Sequence, residues 1–258
     1  MILNFNQSKL TDVPNSIQGN IELKQLSIYD NDITAIPEWL WDFRQMEILN
    51  LGDNQIKMIS TKVGQLTKLQ MLDLGHNRLQ SIPDSIQYLQ QLAFLYLSDN
   101  QFEAFPEGVN HLSNLTYLNL TDNQISTIPD SIKQLQNLIE LRLYNNQITS
   151  LPESITQLSK LRELHLMNNQ LSTIPKDIGH LKDLRVLSFR NNQIQSLPDS
   201  IQNLSNLLYL DLRGNQLEKL PDLSGLKKLE KIDLRWNPNL SITPSLHQLK
   251  KQSCLLYY

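Results

Sequence analysis

The side chains best suited to catalysis or metal binding are few in this chain and follow no recognisable pattern. The five histidines, at positions 76, 111, 165, 180 and 247, lack the close spacing of paired metal ligands. Cys254 is the single cysteine, and no base lies near it in sequence to activate it as a nucleophile. The eight glycines form neither of the glycine-rich loops that hold phosphate. The sequence therefore predicts no catalytic residue, no cofactor and no metal site, which indicates a protein that is not an enzyme.

An asparagine recurs through most of the chain at an almost constant interval. It stands at positions 31, 54, 77, 100, 123, 146, 169, 192 and 215, which are 23 residues apart, and again 22 residues later at position 237. A fixed period of this length with a recurring asparagine is typical of stacked repeats. Each amide can satisfy backbone groups where the chain leaves a strand, since an unsatisfied buried group costs roughly 1–3 kcal/mol.

The apolar residues around each asparagine repeat as well. Leu118 and Leu120 alternate with polar neighbours, which predicts a short strand with one buried face. After Pro129, Ile132 and Leu135 lie three residues apart, which favours a 3-10 or short α turn on the opposite side. One copy alone buries too little apolar surface to offset the entropy of ordering its backbone. Stacked copies bury one another's faces, so the array must fold as a unit.

The shared pattern is L-x-x-L-x-L-x-x-N-x-I-x-x-I-P-x-x-I-x-x-L, and it extends from about Leu3 to Leu249. This pattern resembles the leucine-rich repeat in its typical 23-residue form. The chain is similar in style to intracellular Ras-scaffold leucine-rich repeat proteins, to their plant relatives and to bacterial leucine-rich repeat proteins. The resemblance implies an α/β solenoid, a right-handed horseshoe with a parallel β-sheet on its concave face and short 3-10 or α turns on its convex face.

The unbroken period predicts a single domain over residues 1–258. Ser8 stands where the first asparagine is expected, so residues 1–22 are predicted to form a degenerate first turn. Residues 23–237 are the regular repeats, and residues 238–258 are the predicted C-terminal cap, because terminal repeats lack one neighbour.

Three departures from the repeat pattern lead to separate predictions. Ser60 replaces the recurring proline, so we expect that convex segment to differ. Leu255 to Tyr258 are apolar and are available to cover the last open face, and Cys254 is predicted to be a buried cap residue or an idle thiol. The sequence places Trp39 and Trp41 outside the core columns, either as a second contact patch or packed against the incomplete first turn.

The amino-acid composition limits which partners and which cellular compartment we expect. The net charge is −3, so no overall basic surface for nucleic acid exists, and no apolar stretch approaches a membrane span. The resemblance implies cysteine-rich caps in extracellular animal relatives, and this chain has a single cysteine. We therefore expect a cytoplasmic monomer that binds protein or peptide, with a secreted bacterial effector lacking a classical signal as the alternative.

The register of the repeats identifies the side chains that point outward from the concave strands. The candidate protein-binding residues are Phe94, Tyr96, Tyr117, Asn119, Glu140, Arg142, Tyr144, His165, Met167 and Arg190. Aromatic side chains collect in the middle of this set and are favoured anchors of protein interfaces. The alternative is that aromatic residues pair well across neighbouring strands without binding anything.

Charge is also graded along these outward positions. Acidic residues occupy the first half of the chain, at Asp30, Asp53, Asp73, Asp99 and Asp122. Arginines occupy the second half, at Arg142, Arg190, Arg213 and Arg235. Such a surface can orient a partner of opposite polarity. The alternative for the acidic residues is that aspartate beside the asparagine closes the turn, and the arginines have less of a structural explanation.

The sequence thus predicts a non-enzymatic leucine-rich repeat protein that binds a partner protein on its concave face. By resemblance, such proteins act as scaffolds or recognition modules in signalling. The alternative function is the substrate-recognition domain of a larger signalling enzyme, such as a kinase, a GTPase or a ubiquitin ligase, or of a secreted bacterial effector.

Overall fold

The computed structural model describes residues 1–241, 246, 249–250 and 253–258. These residues form two compact units, Met1–Gln124 and Ile125–Tyr258, which are called the first and the second unit below. The predicted division into a single domain with a degenerate first turn and a cap stays a prediction. Part of that predicted cap, at residues 242–245, 247–248 and 251–252, lies outside the described residues.

Each unit contains a parallel β-sheet of three-residue strands. The strands of the first unit are β1 (Ile2–Asn4), β2 (Gln25–Ser27), β3 (Ile48–Asn50), β4 (Met71–Asp73), β5 (Phe94–Tyr96) and β6 (Tyr117–Asn119). The strands of the second unit are β7 (Glu140–Arg142), β8 (Glu163–His165), β9 (Val186–Ser188), β10 (Tyr209–Asp211), β11 (Lys231–Asp233) and β12 (Leu255–Tyr257). Within each unit every strand pairs in parallel with the next strand along the chain.

The opposite side of the repeats is built from short 3-10 helices. Within the described residues these are Asn15–Ile17, Glu38–Asp42, Thr61–Gln65, Asp84–Tyr88, Glu107–His111, Asp130–Gln134, Glu153–Gln157, Ile178–His180 and Asp199–Asn203. A proline with an extended ψ angle precedes most of them. Proline suits this place because its fixed φ is compatible with the turn and its missing N–H has no partner to lose. The predicted fold class, parallel strands on one side and 3-10 turns on the other, is confirmed.

The expectation that the segment after Ser60 differs is wrong. The segment forms the 3-10 helix Thr61–Gln65, as the neighbouring repeats do. Ser60 adopts φ −64° and ψ 147°, close to the −68° and 147° of Pro83 in the next repeat. The Ser60 hydroxyl also accepts a hydrogen bond from the backbone N–H of Lys62 at 3.4 Å. In place of the fixed φ angle of proline, Ser60 thus provides a side-chain hydrogen bond that caps the 3-10 helix.

The core lies between the strands and the 3-10 helices. The central residue of each strand from β2 to β11 is buried, and the residues on either side of it are directed to the other face. The recurring asparagines are buried below the end of the strands. Asn123, for example, accepts a bond from the N–H of Phe102 and donates to the carbonyls of Leu97, Leu120 and Thr121. The predicted role of these amides in satisfying backbone groups is confirmed.

The C-terminal residues of the chain add one more strand beside β11. Leu255–Tyr257 form β12, which pairs with β11, so they lengthen the sheet by one strand. The side chains of Leu255 and Tyr258 remain exposed. Cys254 is buried, as predicted, and burial raises the pKa of its thiol, so the thiol stays protonated at neutral pH. Within the described residues, no helix has the length and apolar character that crossing a membrane requires.

Candidate protein-binding surface

The exposed side of each sheet consists of three columns of side chains, which together are called the strand face. Column one holds the first residue of each strand and column two holds the third residue. Column three holds the residue two positions after the strand's end, which continues the outward alternation. In the repeat of β5, for example, these are Phe94, Tyr96 and Ser98. Neighbouring strands are about 5 Å apart, so side chains of one column touch their counterparts in the next repeat.

In the first unit, three of the predicted residues form an aromatic cluster. Phe94 and Tyr117 are direct partners across β5 and β6, with ring centroids 6.4 Å apart. Tyr96 lies diagonally from Tyr117, with ring centroids 4.9 Å apart. Phe94 is 44% exposed, and both tyrosines are half-buried. The structure therefore brings Phe94, Tyr96 and Tyr117 into one group on the strand face, as the register predicts.

Asn119 lies in column two, as the register predicts, but it is buried there, so the expectation that a partner can reach it is wrong. It is buried, and its side-chain oxygen accepts a hydrogen bond from the N–H of Thr121 at 3.1 Å. Asn50 makes the same bond to Gly52, and Asp73 to Gly75, each at 2.9 Å. Short column-two side chains that carry an oxygen thus accept a hydrogen bond from the backbone N–H two residues later, which fixes the backbone that follows the strand.

The residue before each recurring asparagine adopts a left-handed backbone conformation. In the first unit this place is taken by Asp30, Asp53, His76, Asp99 and Asp122, with φ between 49° and 56°. In the second unit it is taken by Asn145, Asn168, Asn191, Gly214 and Trp236, with φ between 53° and 63°. Aspartate, asparagine and glycine are the residues that accept this conformation most readily. The explanation that these aspartates close the turn is therefore supported. Asparagine closes the turn equally well, so the turn does not require the negative charge.

The two units also differ in net charge, chiefly because the second unit has more lysines and arginines. Residues 1–124 contain seven Lys and Arg against 14 Asp and Glu, a net charge of −7. Residues 125–258 contain 16 against 12, a net charge of +4. The negative field of the first unit acts on its strand face: the carboxylate of Asp53, followed by burial and by Asp30, raises the pKa of Tyr29. The net charges of the two units have the signs that the predicted gradation gives, and the gradation along the outward columns stays a prediction.

In the second unit, the predicted residues of β7 and β8 are half-buried and paired with one another. The Arg142 guanidinium bonds to Glu140, and the ring of His165 lies 3.1 Å from a Glu163 oxygen. One possible ligand atom from each of Glu140, Glu163 and His165 falls within 4.8 Å of the others. The sequence did not reveal this grouping, because the residues come from two repeats and meet only when the strands pair. Tyr144 and Met167 lie beside them in column three, both half-buried.

Two arginines of column three are held by aspartates of column two. Arg213 donates to both carboxylate oxygens of Asp211 and lies 3.4 Å from Asp233. Arg235 donates to Asp233 at 3.0 and 2.7 Å. Burial opposes the ionisation of Asp233, but the bonds from Arg235 and the charge of Arg213 outweigh it and hold the pKa of that carboxyl below its usual range. These two arginines therefore have a structural role, which corrects the expectation that they have less of a structural explanation than the aspartates.

Arg190 belongs to the same column and differs from both. The residue two positions before it is Ser188, so no carboxylate stands where Asp211 and Asp233 stand. Among the described residues, the buried Nε of Arg190 has no hydrogen-bond partner. A buried donor of this kind is uncommon in folded proteins.

A depression of about 200 Å³ opens on the strand face at β9. Its lining includes Met167, Val186, Ser188, Tyr209 and Arg213. It exists because Val186 and Ser188 are small, whereas β8 presents Glu163 and His165 and β10 presents Tyr209 and Asp211. Sequence reasoning missed Val186, Ser188 and Tyr209. The available signal was the pair of small residues in columns one and two between bulky neighbours.

The tryptophans lie in three different environments. Trp41 is fully buried, so its placement outside the core is wrong: the 3-10 helix Glu38–Asp42 turns it inward beside Leu40. Trp39 is half-buried and packs on Phe43, with ring centroids 5.8 Å apart, which leaves no paired tryptophan contact patch. Trp236 is 63% exposed, and the guanidinium of Arg235 lies 5.7 Å from its ring centroid.

The histidines show no sign of acting together within the described residues. His76 lies 2.8 Å from Asp99 in the first unit, whereas His165 pairs with Glu163 in the second. His247 lies outside the described residues.

Three family models of leucine-rich repeats match the chain. A leucine-rich repeat model matches residues 44–102 and 113–171, and a model of two repeat copies matches residues 90–134. A model of a leucine-rich repeat region matches residues 155–256. No curated protein sequence matches the chain.

Solved structures give a similar result. A leucine-rich repeat protein of Leptospira interrogans is 38% identical with a TM-score of 0.91, over 97% of this chain and 64% of that protein. The leucine-rich repeat ectodomain of the Arabidopsis thaliana receptor kinase GASSHO1/SCHENGEN3 is 25% identical with a TM-score of 0.77, over 100% of this chain and 38% of that one. An internalin of Listeria monocytogenes is 25% identical with a TM-score of 0.73, over 95% of this chain and 76% of that one.

The chain spans less than two thirds of the length of the Leptospira protein and of the plant ectodomain. The repeated asparagines, the parallel strands, the 3-10 helices and the matches to family models and structures agree with one another. The chain belongs to the leucine-rich repeat family.

Proposed function

We propose that this chain is a non-enzymatic recognition module that binds a protein or peptide partner through its strand face. The observation that carries the proposal is the aromatic cluster of Phe94, Tyr96 and Tyr117. These rings lie on the outer side of β5 and β6, so they do not fill the core, and Phe94 is 44% exposed. Tyrosine is among the residues that contribute most to interface affinity, because its ring buries a large area with little loss of side-chain entropy.

Relatives of the same fold support the class of partner. The plant ectodomain that resembles this chain was solved in complex with Casparian strip integrity factor 2. A second relative, the plant peptide hormone receptor RGFR1, was solved in complex with RGF2 and is 31% identical over 86% of this chain. Leucine-rich repeats are thus used for peptide and protein recognition in related chains, and we extend that use to this one.

Several finer predictions remain open to experiment. The cytoplasmic location, the monomeric state and the lack of enzymatic activity stay predictions, as does the alternative of a recognition domain in a larger enzyme or effector. All of these alternatives use the same strand face, so the surface can be tested before the setting is known.

The test compares a double variant of the cluster with a matched variant elsewhere. Tyr96→Ser with Tyr117→Ser removes two clustered rings, whereas Tyr88→Ser removes a ring that is 60% exposed on the 3-10 helix Asp84–Tyr88. Each protein is used to capture partners from a lysate of its source, and bound proteins are quantified by mass spectrometry. We expect the double variant to lose at least about tenfold of the specific capture, since interface anchors are worth roughly 2 kcal/mol or more.

Thermal unfolding of all three proteins should remain similar, because these side chains are not in the core. Equal loss of capture in the Tyr88→Ser protein, or unchanged capture in the double variant, would move the binding surface away from this cluster.

A further inference from the structure

The depression at β9 and the guanidinium of Arg190 have the same origin in the sequence. In the two following repeats, column two holds Asp211 and Asp233, and each carboxylate binds the arginine two residues later. In the repeat of β9 the aspartate is replaced by Ser188, while the arginine is kept as Arg190. One substitution therefore removes the volume of a carboxylate group from the surface and removes the counter-charge of an arginine.

The two consequences arise in the same repeat, although Arg190 itself is not part of the lining. Ser188 lines the depression, and Arg190 is two residues further along the same chain segment. The column-three residues on both sides of Arg190, Met167 and Arg213, line the depression as well. Met167, Val186 and Tyr209 supply apolar parts of the remaining wall, which also includes Asp211 and Asp233, and these carboxylates are already paired with Arg213 and Arg235. The site therefore combines an apolar hollow with a cation that lacks the partner its neighbours have.

We propose that the β9 depression receives an acidic side chain of the partner together with an adjacent apolar side chain. The partner's aspartate or glutamate takes the place that Asp211 and Asp233 occupy in the next repeats and pairs with the guanidinium of Arg190. The apolar side chain fills the hollow against Met167, Val186 and Tyr209. This inference rests on the proposed function and names the chemistry of the segment that the second unit recognises.

The buried Nε of Arg190 without a hydrogen-bond partner, the net charge of the unit and the volume of the hollow favour this occupant. The second unit carries a net charge of +4, which attracts an acidic segment. Arginine binds carboxylate through paired N–H donors, and such charge-assisted bonds are stronger than neutral ones. A hollow of about 200 Å³ suits a single apolar side chain rather than a small-molecule cofactor, since ligand pockets usually measure about 300–1,000 Å³.

The decisive variant is Ser188→Asp, because it supplies the missing carboxylate from the chain itself. The same arrangement already exists at Asp211 with Arg213, so the framework accommodates it. Aspartate at position 188 should pair with Arg190, fill part of the depression and exclude the partner's acidic group. Ser188→Ala is the matched control, since it leaves the hollow open and adds no charge. Arg190→Gln is a second variant, which removes the cation without adding a carboxylate.

The probe is a library of short randomised peptides, displayed through their C-termini on phage so that no free terminal carboxylate is present. Selection on the natural protein should enrich peptides that carry Asp or Glu beside Leu, Ile, Met or Phe. Synthetic amidated copies of these peptides should bind about tenfold to hundredfold more weakly after Asp→Asn or Glu→Gln substitution in the peptide. Ser188→Asp and Arg190→Gln should reduce binding by a similar factor, and Ser188→Ala should leave it within about twofold.

Peptides without an acidic residue, or acidic peptides that the Ser188→Asp protein binds as well, would overturn the inference, and so would a selection that enriches nothing. Failure of this inference is distinguishable from failure of the proposed function. If selected peptides lose binding in the Tyr96→Ser, Tyr117→Ser protein but not in Ser188→Asp, the strand face still binds a partner and only the β9 site is wrong. Thermal unfolding of each variant should stay close to that of the natural protein, which separates lost binding from lost folding.

Discussion

The first and the second unit build their strand faces from the same three columns, but the side chains in those columns differ in kind. The first unit presents the aromatic cluster on β5 and β6 among carboxylates, and its net charge is −7. The second unit presents arginines, paired carboxylates and the depression at β9, and its net charge is +4. The buried framework is nearly identical in both, because each repeat must satisfy the same backbone groups. Variation is therefore confined to positions where the framework accepts several residue types.

The left-handed position before the recurring asparagine shows this freedom directly. Its backbone conformation is the same in both units, and aspartate and asparagine both accept it. The first unit uses Asp53 and Asp99 there, whereas the second uses Asn145 and Asn168. The left-handed conformation restricts the residue type at this position but not its charge. The charge there can therefore differ between the units without any change in fold.

The largest expected effect concerns the buried recurring asparagines, which make the same hydrogen bonds in both units. Asn123 in the first unit and Asn192 in the second each bond one N–H and three carbonyls. Replacing either with alanine leaves several buried groups unsatisfied, so each variant should lose about 3 kcal/mol of unfolding free energy. Chemical denaturation measures the loss. Alanine at the exposed neighbours Gln124 and Gln193 is the control, with little expected change. Costs that differ by more than about twofold would show that the two frameworks are not equivalent.

A smaller effect is expected at Asp233, which anchors two arginines in the second unit. Its folded pKa lies below the usual value, so its contribution to stability is present above about pH 3.9 and is lost as the pH falls through the folded pKa. Asp233→Ala should cost about 1–3 kcal/mol at pH 7, because Arg213 and Arg235 lose a shared partner. The difference between variant and natural protein should shrink below pH 4.

The control for this prediction is Asp199→Ala, an exposed aspartate that begins the 3-10 helix Asp199–Asn203. It should change the unfolding free energy by less than about 0.5 kcal/mol at any pH. A cost at Asp233 that is independent of pH would mean that packing, rather than the ion pairs, determines its contribution.

The smallest expected effect has the opposite sign and lies in the first unit. Burial raises the pKa of Asp73, so the folded state disfavours the carboxylate and loses stability as the pH rises from about 3.9 through the folded pKa. Asn50 and Asn119 hold the same column-two position and accept the same backbone bond. Asp73→Asn should therefore stabilise the protein at pH 7, by less than about 1 kcal/mol.

The advantage of Asp73→Asn should disappear at low pH, where the natural carboxyl is protonated. Unfolding free energies of both proteins between pH 3 and pH 7 measure this. A destabilised asparagine variant at pH 7 would show that the negative charge of Asp73 is needed in the first unit.

Much of the candidate surface was predictable because strand register assigns each residue to one side. Phe94, Tyr96 and Tyr117 follow from alternation alone, and the structure places their rings together. Asn119 and Trp41 were predicted wrongly for local reasons. The side chain of Asn119 is short enough to bond the N–H two residues ahead, and Trp41 is buried beside Leu40 on the 3-10 helix Glu38–Asp42. Period counting does not reveal either effect.

The sequence by itself determined the repeat length, the buried columns, the parallel strands and the lack of an overall basic surface, because each repeat must bury the same apolar side chains and satisfy the same backbone groups. The tertiary structure alone decided which side chains of different repeats meet. Arg213 and Arg235 share Asp233, Glu140 and Glu163 approach His165, and the small residues of β9 lie between larger neighbours. These groupings bring together residues of neighbouring repeats, such as Glu140 with Glu163 and Arg213 with Asp233, so they exist only after strand pairing brings the repeats to about 5 Å.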